Sequence, residues 1–583
     1  MKVVLSSLNS KFIHTALSLR YLKAYAEKQN ENRDLEIAEY TINQNINYIV
    51  GELYRKKPDL LCLSVYIWNI NEIIDIVKSL KIVRPELKIL LGGPEVSFEI
   101  KSLMENIEEI DYIIYGEGEI AFSEFLDYFE GKKEIIEVSN LAYRKDDQII
   151  INPMKPVMKD LGEIPDIYSE DLSEYEDKII YYESSRGCPF TCKFCLSSTI
   201  DGVRFFPLER VFRELKIFID GKVKQVKFID RTFNARIDYA KGIMKYAKEN
   251  DNGISNFHFE VTAHLIDDEF IEFLSHMPEG LFQFEIGVQS TNEKTIRDVA
   301  RTTDFKKLSN AVNKIRKLGN IHLHLDLIAG LPYEGYDSFK KSFNDVYNLK
   351  PDKLQLGFLK LLKGSQLRNE AKKHGIKYLD KSPYEVLETK YLSFEEVLKL
   401  KDIEELVEIY GNEKYFEKTL DIVLKDYESP FDFYEIFSKY CRKNGFYEAA
   451  RGKVVQYRFL YEFLLEENKI DKDIAKEALR FDFVRNTRSP NVPKFLQSED
   501  YYDMRNSRRE FISDESIRKE YFPEFTERDQ NKLTRFVHLD KFKYDILNGN
   551  SEERERIYAF LYNKSERALT RSTVLDITDK FNI

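Results

Sequence analysis

The chain has no apolar stretch long enough to cross a membrane and no excess of basic charge. Its longest apolar run, around residues 60–68, is far shorter than the roughly 20 residues of a membrane-spanning helix. The 89 basic residues are outnumbered by 100 acidic ones, and a net charge of -11 gives no general attraction for nucleic acid. The first residues contain too short an apolar segment for a signal peptide. We therefore expect a cytoplasmic protein that acts on a small molecule, without a membrane or nucleic-acid partner.

Cysteine is scarce, with five residues in the chain, yet three of the five lie together. Cys188, Cys192 and Cys195 have the spacing Cys-x3-Cys-x2-Cys. Thiolates this close on one loop can bind a soft metal centre, and three of them leave one corner of a four-iron cube open. A closed zinc site fits less well, because no His or further Cys follows at the usual spacing for a fourth ligand. Chance clustering of inert cysteines is also disfavoured. A disulfide is disfavoured because no secretory signal is evident and Cys62 lies in an apolar, strand-like run, both of which suit a reducing cytosol.

Length and hydrophobic pattern predict several domains of α/β type. The chain has 583 residues, of which 43% are hydrophobic and 32% charged, so it exceeds the size of one globular core. Residues 1–130 alternate apolar runs, at 2–5, 35–40, 59–66, 87–92 and 112–115, with helix-period segments, which predicts a doubly wound parallel sheet. Residues 131–175 form a linker with a hairpin at 141–151. Six strands between 180 and 358 predict a partial barrel over residues 176–390, and residues 391–583 have the pattern of a mostly helical domain.

Glycine-rich turns follow two strands of the first predicted sheet. Ligands of such sheets bind at the carboxyl ends of the strands, so the loops at 6–14, 68–71, 92–96 and 116–119 should converge on one crevice. Leu-Gly-Gly-Pro-Glu at 91–95 and Gly-Glu-Gly-Glu at 116–119 allow the backbone to approach a ligand closely. Tight strand-to-helix turns without a ligand explain the same glycines equally well.

The cysteine motif, with the aromatic Phe194 before its last cysteine, resembles the signature of the radical SAM superfamily. The resemblance implies that Cys188, Cys192 and Cys195 bind a 4Fe-4S cluster whose open iron chelates S-adenosylmethionine. One electron then splits this cosubstrate into methionine and a 5'-deoxyadenosyl radical, which abstracts hydrogen from a small-molecule substrate. An electron donor such as flavodoxin or ferredoxin is implied as a partner.

Three further segments resemble the cobalamin-binding branch of that superfamily. Residues 8–14 with the two glycine-rich turns look like a cobalamin-binding domain, and Asp-Arg-Thr-Phe-Asn at 230–234 is close to a signature of the branch. Residues 382–387 with the tail resemble an uncharacterised C-terminal domain. The motif Asp-x-His-x-x-Gly, whose His binds cobalt, is absent, so cobalamin is expected from the resemblance alone. His14 is a candidate cobalt ligand, with a capping or core residue as the alternative that a lone His near a helix start more often represents.

Polar residues mark the carboxyl ends of the barrel strands. A carboxylate inside a barrel is costly unless it is paired, so these residues argue for a polar ligand, with an internal hydrogen-bonded network as the alternative. The resemblance assigns S-adenosylmethionine binding to Phe194, Asn234, Glu260, Gln289 and Ser290. Asp230, Glu285 and Asp326 then remain as catalytic candidates that act on the substrate.

Two enzymatic hypotheses begin with the same radical. In the first, the substrate radical breaks a carbon–nitrogen bond, and the architecture resembles queuine lyase, which releases 7-aminomethyl-7-deazaguanine. A guanine-like edge of such a 7-deazaguanine base would be recognised by a buried carboxylate among those candidates, or by Glu95 or Glu117. In the second, the substrate radical collects a methyl group from cobalamin at an unactivated carbon. A third, non-enzymatic hypothesis is a cobalamin sensor with a structural cluster. We expect the lyase, with the methyltransferase as the alternative.

Overall fold

The structure is a computed structural model that describes residues 1–146, 148–200, 202–487, 491–497, 504–522, 530–549, 553–562 and 573–581. The chain divides into two compact units. The first contains Met1–Leu323, Ile328–Gly335 and Gly357–Ser393, and the second contains His324–Leu327, Tyr336–Leu356 and Phe394–Ile583.

A seven-stranded sheet with the order β2-β1-β3-β4-β5-β6-β7 begins the first unit. Its strands are β1 (Lys2–Asn9), β2 (Asp34–Thr41), β3 (Leu60–Ser64), β4 (Lys88–Gly92), β5 (Tyr112–Ile114), β6 (Leu141–Lys145) and β7 (Gln148–Ile151). The first five strands are parallel, and the predicted hairpin, β6 and β7, extends the sheet antiparallel to β5. The hairpin that the sequence places in the linker therefore belongs to this sheet.

Five helices cover both faces of that sheet, as expected for a doubly wound fold. They are α1 (Leu17–Gln29), α2 (Ile46–Arg55), α3 (Ile70–Val83), α4 (Ile100–Asn106) and α5 (Glu119–Phe129). One apolar core lies under α2 and α3, and a second lies under α1 and α5. Because both faces are buried, the central strands β3 and β4 have near-continuous apolar sequences, which made them predictable.

A six-stranded sheet with the order β15-β14-β13-β12-β11-β8 follows, as predicted for a partial barrel. The strands of this region are β8 (Ile180–Tyr182), β9 (Ser185–Gly187), β10 (Val203–Phe205), β11 (Gln225–Phe228), β12 (Asn256–Glu260), β13 (Phe282–Gln289), β14 (Ile321–Ala329), β15 (Lys353–Phe358), β16 (Lys377–Tyr378) and β17 (Val386–Glu388). Its helices are α6 (Leu208–Asp220), α7 (Ile237–Glu249), α8 (Asp268–Ser275), α9 (Glu293–Asp298), α10 (Phe305–Leu318), α11 (Tyr336–Tyr347) and α12 (Gln366–Asn369).

The C-terminal part is mostly helical, as predicted. Its helices are α13 (Phe394–Leu406), α14 (Glu417–Val423), α15 (Pro430–Lys443), α16 (Lys453–Glu467), α17 (Lys472–Asn486), α18 (Arg505–Ser513), α19 (Glu515–Tyr521) and α20 (Gln530–Leu533). The sequence did not reveal a three-stranded antiparallel sheet of β18 (Val537–Tyr544), β19 (Glu553–Leu561) and β20 (Thr573–Asp576). Across the part of the chain that the structure describes, none of the helices is both long enough and apolar enough to span a bilayer.

Candidate active site

The three clustered cysteines lie on a loop held by a short antiparallel hairpin. Strand β9 ends at Gly187, immediately before Cys188, and pairs with β10. Gly187 has φ +103°, and a Cβ there would lie 2.2 Å from the carbonyl oxygen of Gly202. Only glycine fits both the positive φ and this close approach. The hairpin therefore fixes the point at which the cysteine loop leaves the barrel.

A guanidinium group lies directly beside the cysteines. Arg301 Nη1 donates to Cys192 Sγ at 3.6 Å, and its other nitrogens contact the Gly287 carbonyl and Thr303 Oγ1. Burial raises the pKa of the Cys192 thiol, and the Arg301 charge opposes that rise. On the other side of the loop, Cys188 Sγ lies 3.5 Å from Thr232 Oγ1. Arg301 could not be predicted from the sequence, because its 109-residue separation from Cys192 leaves no local motif to mark it.

The arrangement of the thiols fits an iron-sulfur cluster better than a single zinc ion. Two groups of described residues could hold one metal ion, with all ligand atoms within 4.8 Å of one another, and neither contains a cysteine. Zinc with a sulfur distance of about 2.3 Å would need its thiolates about 3.8 Å apart. In a cubane each thiolate binds a different iron atom, so the thiolates lie farther apart.

Asp230, a predicted catalytic residue, is fully buried at the end of β11. Its carboxylate accepts hydrogen bonds from the Ser184 backbone N–H at 3.1 Å, from Ser184 Oγ at 2.8 Å and from Ser185 Oγ. Burial raises the pKa of Asp230 to about 6, although the serine hydrogen bonds oppose the rise. The carboxylate thus braces the segment that leads into β9 and the cysteine loop. Its catalytic role stays a prediction.

Two of the residues predicted to bind S-adenosylmethionine are engaged within the protein. Asn234 bonds both the carbonyl and the N–H of Thr262, at 3.0 and 2.8 Å, and so joins the loops after β11 and β12. Ser290 is buried and donates to Glu334 at 2.7 Å. Both contacts shape the loops at the carboxyl ends of the strands, and a direct role in cofactor binding stays a prediction for each.

Gln289 has the features of a ligand-binding side chain. It ends β13 with φ +70°, outside the usual region for a side-chain-bearing residue, and its Oε1 is buried without a hydrogen-bond partner among the described residues. Glu260, at the end of the neighbouring strand β12, pairs with Glu285 in the strand register. Phe194 packs against an apolar cluster that includes Val299 and Leu367. The unpaired buried oxygen of Gln289 fits a ligand donor such as the amino or hydroxyl groups of S-adenosylmethionine.

The two remaining catalytic candidates have basic side chains as neighbours. Glu285 Oε2 lies 3.1 Å from Lys227 Nζ and 3.0 Å from His258 Nε2. Asp326 Oδ1 lies 3.1 Å from His324 Nε2. Both carboxylates are therefore parts of polar networks, and their catalytic roles stay predictions.

The loops after β1 and β3 in the first domain expose apolar side chains. Phe12, Ile13 and Trp68 are 71%, 40% and 43% exposed. The Trp68 indole stacks on Tyr66, with the ring centroids 4.4 Å apart, and donates to the Leu8 carbonyl at 3.2 Å. Exposed large apolar groups at the ligand edge of a doubly wound sheet fit a large planar ligand such as a corrin ring.

The acidic loops of the same edge are bound to the barrel region within the same unit. Arg186, two residues before Cys188, contacts Glu119 at 2.9 Å, and Arg204 forms an ion pair with Glu117. Glu95 contacts Lys363 at 2.9 Å. These partners occupy Glu95 and Glu117, which are candidates from the sequence for recognition of a base.

A histidine joins the first domain to the barrel as well. His14 Nδ1 lies 2.5 Å from the hydroxyl of Tyr181 on β8, and burial lowers the pKa of His14. This contact explains His14 as a residue of the domain junction. Its proposed role as a cobalt ligand is not needed to account for its position.

Comparisons with known families agree with this architecture. Residues 3–126 match the B12 binding domain, residues 182–346 match the Radical SAM superfamily, and residues 372–560 match a family described as Protein of unknown function (DUF4080). An uncharacterized methyltransferase of Pyrococcus horikoshii is 25% identical over 403 residues, which are 66% of this chain and 85% of that protein. The cobalamin-dependent radical SAM methyltransferase TokK of Streptomyces tokunonensis is 25% identical over 317 residues, which are 50% of this chain and 45% of that protein.

Solved structures with the same fold have bound cobalamin. The cobalamin-dependent S-adenosylmethionine radical enzyme OxsB, with aqua-cobalamin bound, superposes with a TM-score of 0.58 at 16% identity, covering 82% of this chain and 78% of that chain. The methyltransferase TsrM from Kitasatospora setae, with cobalamin and a 4Fe-4S cluster bound, gives 0.55 at 15% identity, covering 66% of this chain and 82% of that chain. At these identities the likeness concerns the fold.

The chain is therefore a radical SAM enzyme. Within that superfamily it is a cobalamin-dependent member, in which a B12 binding domain precedes the radical SAM domain and a domain of unknown function follows it. The expected cofactors, a 4Fe-4S cluster, S-adenosylmethionine and cobalamin, are confirmed. The preference for a lyase is not confirmed, and queuine as substrate stays a prediction.

Proposed function

We propose that the protein is a cobalamin-dependent radical SAM methyltransferase that acts on an unactivated carbon of a small molecule. The curated relatives described above are named methyltransferases. This reverses the order of the two hypotheses from the sequence. A lyase that only fragments a substrate radical has no need of a corrinoid, whereas a methyl transfer to carbon does.

One structural observation carries the proposal: the ligand edge of the first sheet is docked onto the segment that bears the cysteines. The Glu119–Arg186 ion pair joins the start of α5 to β9, and Glu117 binds Arg204 on β10. Cys188 follows β9 directly. A methyl carrier at the sheet edge and a radical source at the cysteine loop would therefore serve one substrate.

The chain's own residues have separate tasks in this proposal. When bound, the cluster supplies the electron that splits S-adenosylmethionine, and the corrinoid supplies a methyl group. Cys188, Cys192 and Cys195 would hold the cluster, with Arg301 as a positive charge for the carboxylate of the cosubstrate. Gln289 would orient the cosubstrate through its free carbonyl oxygen. The apolar side chains at the edge of the first sheet would cover the corrin ring and exclude water.

The test uses the full chain, purified anaerobically and reconstituted with iron, sulfide and hydroxocobalamin. With a strong reductant and S-adenosylmethionine that carries a trideuterated methyl group, 5'-deoxyadenosine and S-adenosylhomocysteine should both form. A small-molecule extract of the source cells should yield a product that is heavier by one labelled methyl group. Cys192→Ala is the control, because it should bind corrinoid and yet form no deoxyadenosine.

The same reactions distinguish the lyase. With queuine as substrate, release of 7-aminomethyl-7-deazaguanine without label, at the same rate whether or not corrinoid is added, would refute the methyltransferase. About one corrinoid per chain together with label transfer that stops when corrinoid is omitted would support it.

A further inference from the structure

Lys193, which lies between two of the cluster cysteines, is held on three sides. Its backbone N–H donates to the Val299 carbonyl at 3.0 Å, and its own carbonyl accepts from the Leu367 N–H at 2.9 Å. Its ammonium group donates to Glu370 Oε2 at 3.1 Å. Val299 and Leu367 are fully buried in one apolar cluster, so these two backbone partners are themselves fixed.

Glu370 is held as a charged carboxylate that accepts the hydrogen bond from this ammonium group. Burial alone would raise its pKa, but hydrogen bonds from Lys193, Lys373 and Gln366 lower the pKa of Glu370 to about 2. Gln366 binds the other carboxylate oxygen at 2.9 Å, which fixes the plane of the carboxylate. The side chains of Lys193 and Glu370 are only 16% and 21% exposed, so water screens their attraction less than at an open surface.

The two segments that hold Lys193 are also tied to each other. Asp298, next to Val299, contacts Lys373 at 3.4 Å and the buried His374 Nε2 at 3.2 Å. Glu370, Lys373 and His374 lie in the segment that follows the short helix α12, which carries Leu367. The end of α9 and the segment 366–374 thus form one brace behind the cysteine loop.

We infer that Glu370 and Lys193 are positioning residues for the iron-sulfur cluster, and that this brace sets the spacing of Cys192 and Cys195. Cys195 N–H donates to the Cys192 carbonyl at 3.0 Å, so the two cysteines flank a tight turn whose two interior residues are the anchored Lys193 and Phe194. The inference rests on the cluster of the radical SAM domain and not on the methyl transfer proposed above.

A divalent cation is the competing explanation for part of this group. Asp298, Glu370 and His374 place their ligand atoms within 4.8 Å of one another, which suits a metal site. However, the two ammonium groups of Lys193 and Lys373 already neutralise the two carboxylates. A cation would have to displace them and would add charge to a partly buried site, so we favour the brace.

The test measures how fast the reconstituted full chain loses iron to an excess of chelator, followed by visible absorption. Loss of an outer partner of a metal site typically lowers metal affinity by about 10–100-fold, so Glu370→Gln and Lys193→Glu should each release iron at least about tenfold faster. The double variant Lys193→Glu with Glu370→Lys should restore much of the retention, because the ion pair is rebuilt in reverse. The matched control is the Lys377–Glu388 pair, where Glu388→Gln should leave iron release unchanged.

Thermal unfolding of the apo-proteins separates positioning from misfolding. Equal melting temperatures together with faster iron release support the inference, and so does rescue in the double variant even if a single variant folds poorly. Unchanged release in Glu370→Gln overturns it. It is also overturned if a variant lacking all three clustered cysteines binds one zinc per chain and loses that zinc on His374→Ala. Because the readout is iron, the result is independent of whether methyl transfer occurs.

Discussion

Replacing Asp230 by Asn should change the pH dependence of stability in a direction that the burial of this carboxylate dictates. The pKa of Asp230 is raised to about 6 in the folded protein, compared with about 3.9 for an unfolded aspartate. Between these values the folded chain keeps a proton that the unfolded chain has released. The free energy of unfolding of the wild type therefore falls as pH rises through this window, by about 3 kcal/mol in total. The amide of the variant does not titrate, so the variant lacks this loss.

Part of this pH-dependent change in stability falls at moderate pH, where it can be measured. From about pH 5 to about pH 8 the stability of Asp230→Asn relative to the wild type should rise by about 1.4 kcal/mol. Asn cannot accept all three hydrogen bonds from Ser184 and Ser185, but that loss shifts the difference by a constant at every pH. The change of this stability difference with pH is therefore a better test than the sign of the difference at any single pH.

Urea unfolding followed by the fluorescence of Trp68, the single tryptophan of the chain, measures this difference in the first unit. Asp238→Asn, which removes an exposed carboxylate from α7, controls for the change in net charge. A difference between Asp230→Asn and the wild type that stays flat over this pH range would refute the assignment of Asp230 as a buried, desolvated carboxylate.

Three further predictions use the same preparations. Glu124→Gln should show a pH dependence of stability with the opposite sign, because hydrogen bonds from Lys133, Lys155 and Ser139 outweigh burial and lower the pKa of Glu124 to about 2. The wild type should be more stable than the variant by up to about 3 kcal/mol at neutral pH and should lose that advantage as pH falls below about 4. An equal stability of the two proteins at neutral pH would contradict this. Glu119→Gln should lower the free energy of unfolding of the first unit, measured in urea, by about 1–2 kcal/mol. This is less than the full cost of breaking a buried ion pair, because Glu183 remains beside Arg186. A stabilised variant would count against the role of Glu119 in docking. Cys195→Ala should lose cluster iron and the ability to form 5'-deoxyadenosine. Cys441→Ala, which changes a buried cysteine of α15, should retain both. Full iron content in Cys195→Ala would refute the assignment of Cys195 as a cluster ligand.

The central strands of the first sheet could be predicted because burial on both faces leaves an apolar run, as in β3. The barrel strands could be predicted because apolar and polar residues alternate along them, as in β14. Strand β4, for example, differs from the predicted residues 87–92 by one residue at its start. The three-stranded sheet of β18, β19 and β20 was missed because it follows a long series of helix-period segments. Strand β18 mixes charged residues with apolar ones, as in Asp540-Lys541-Phe542-Lys543, and so polar a run does not give a clear strand signal.

The residues of the candidate site could be predicted where they form a motif of fixed spacing along the chain. They could not be predicted where they reach the site through contacts between segments far apart in the sequence. Cys188, Cys192 and Cys195 identify a cluster loop because thiolates at that spacing have few other uses. Arg301 and Glu370 contact the same loop from 109 and 177 residues away, so nothing local marks them. For a strand-end carboxylate such as Asp230, the sequence indicates an interior position but not whether the partner is a ligand or a pair of serines.

The edge of the first sheet shows how one surface can serve docking and binding at the same time. Its acidic loops, after β4 and β5, are committed to Lys363, Arg186 and Arg204 of the barrel region, so their charge is used within the protein. The apolar loops, after β1 and β3, leave Phe12 and Trp68 exposed. A corrin ring needs apolar cover more than it needs carboxylates, and burial of unpaired acids against it would be costly. The division of the edge by polarity therefore favours the Phe12 and Trp68 side for the corrinoid, and substitution of Trp68 by Ala should weaken corrinoid binding while leaving cluster iron intact.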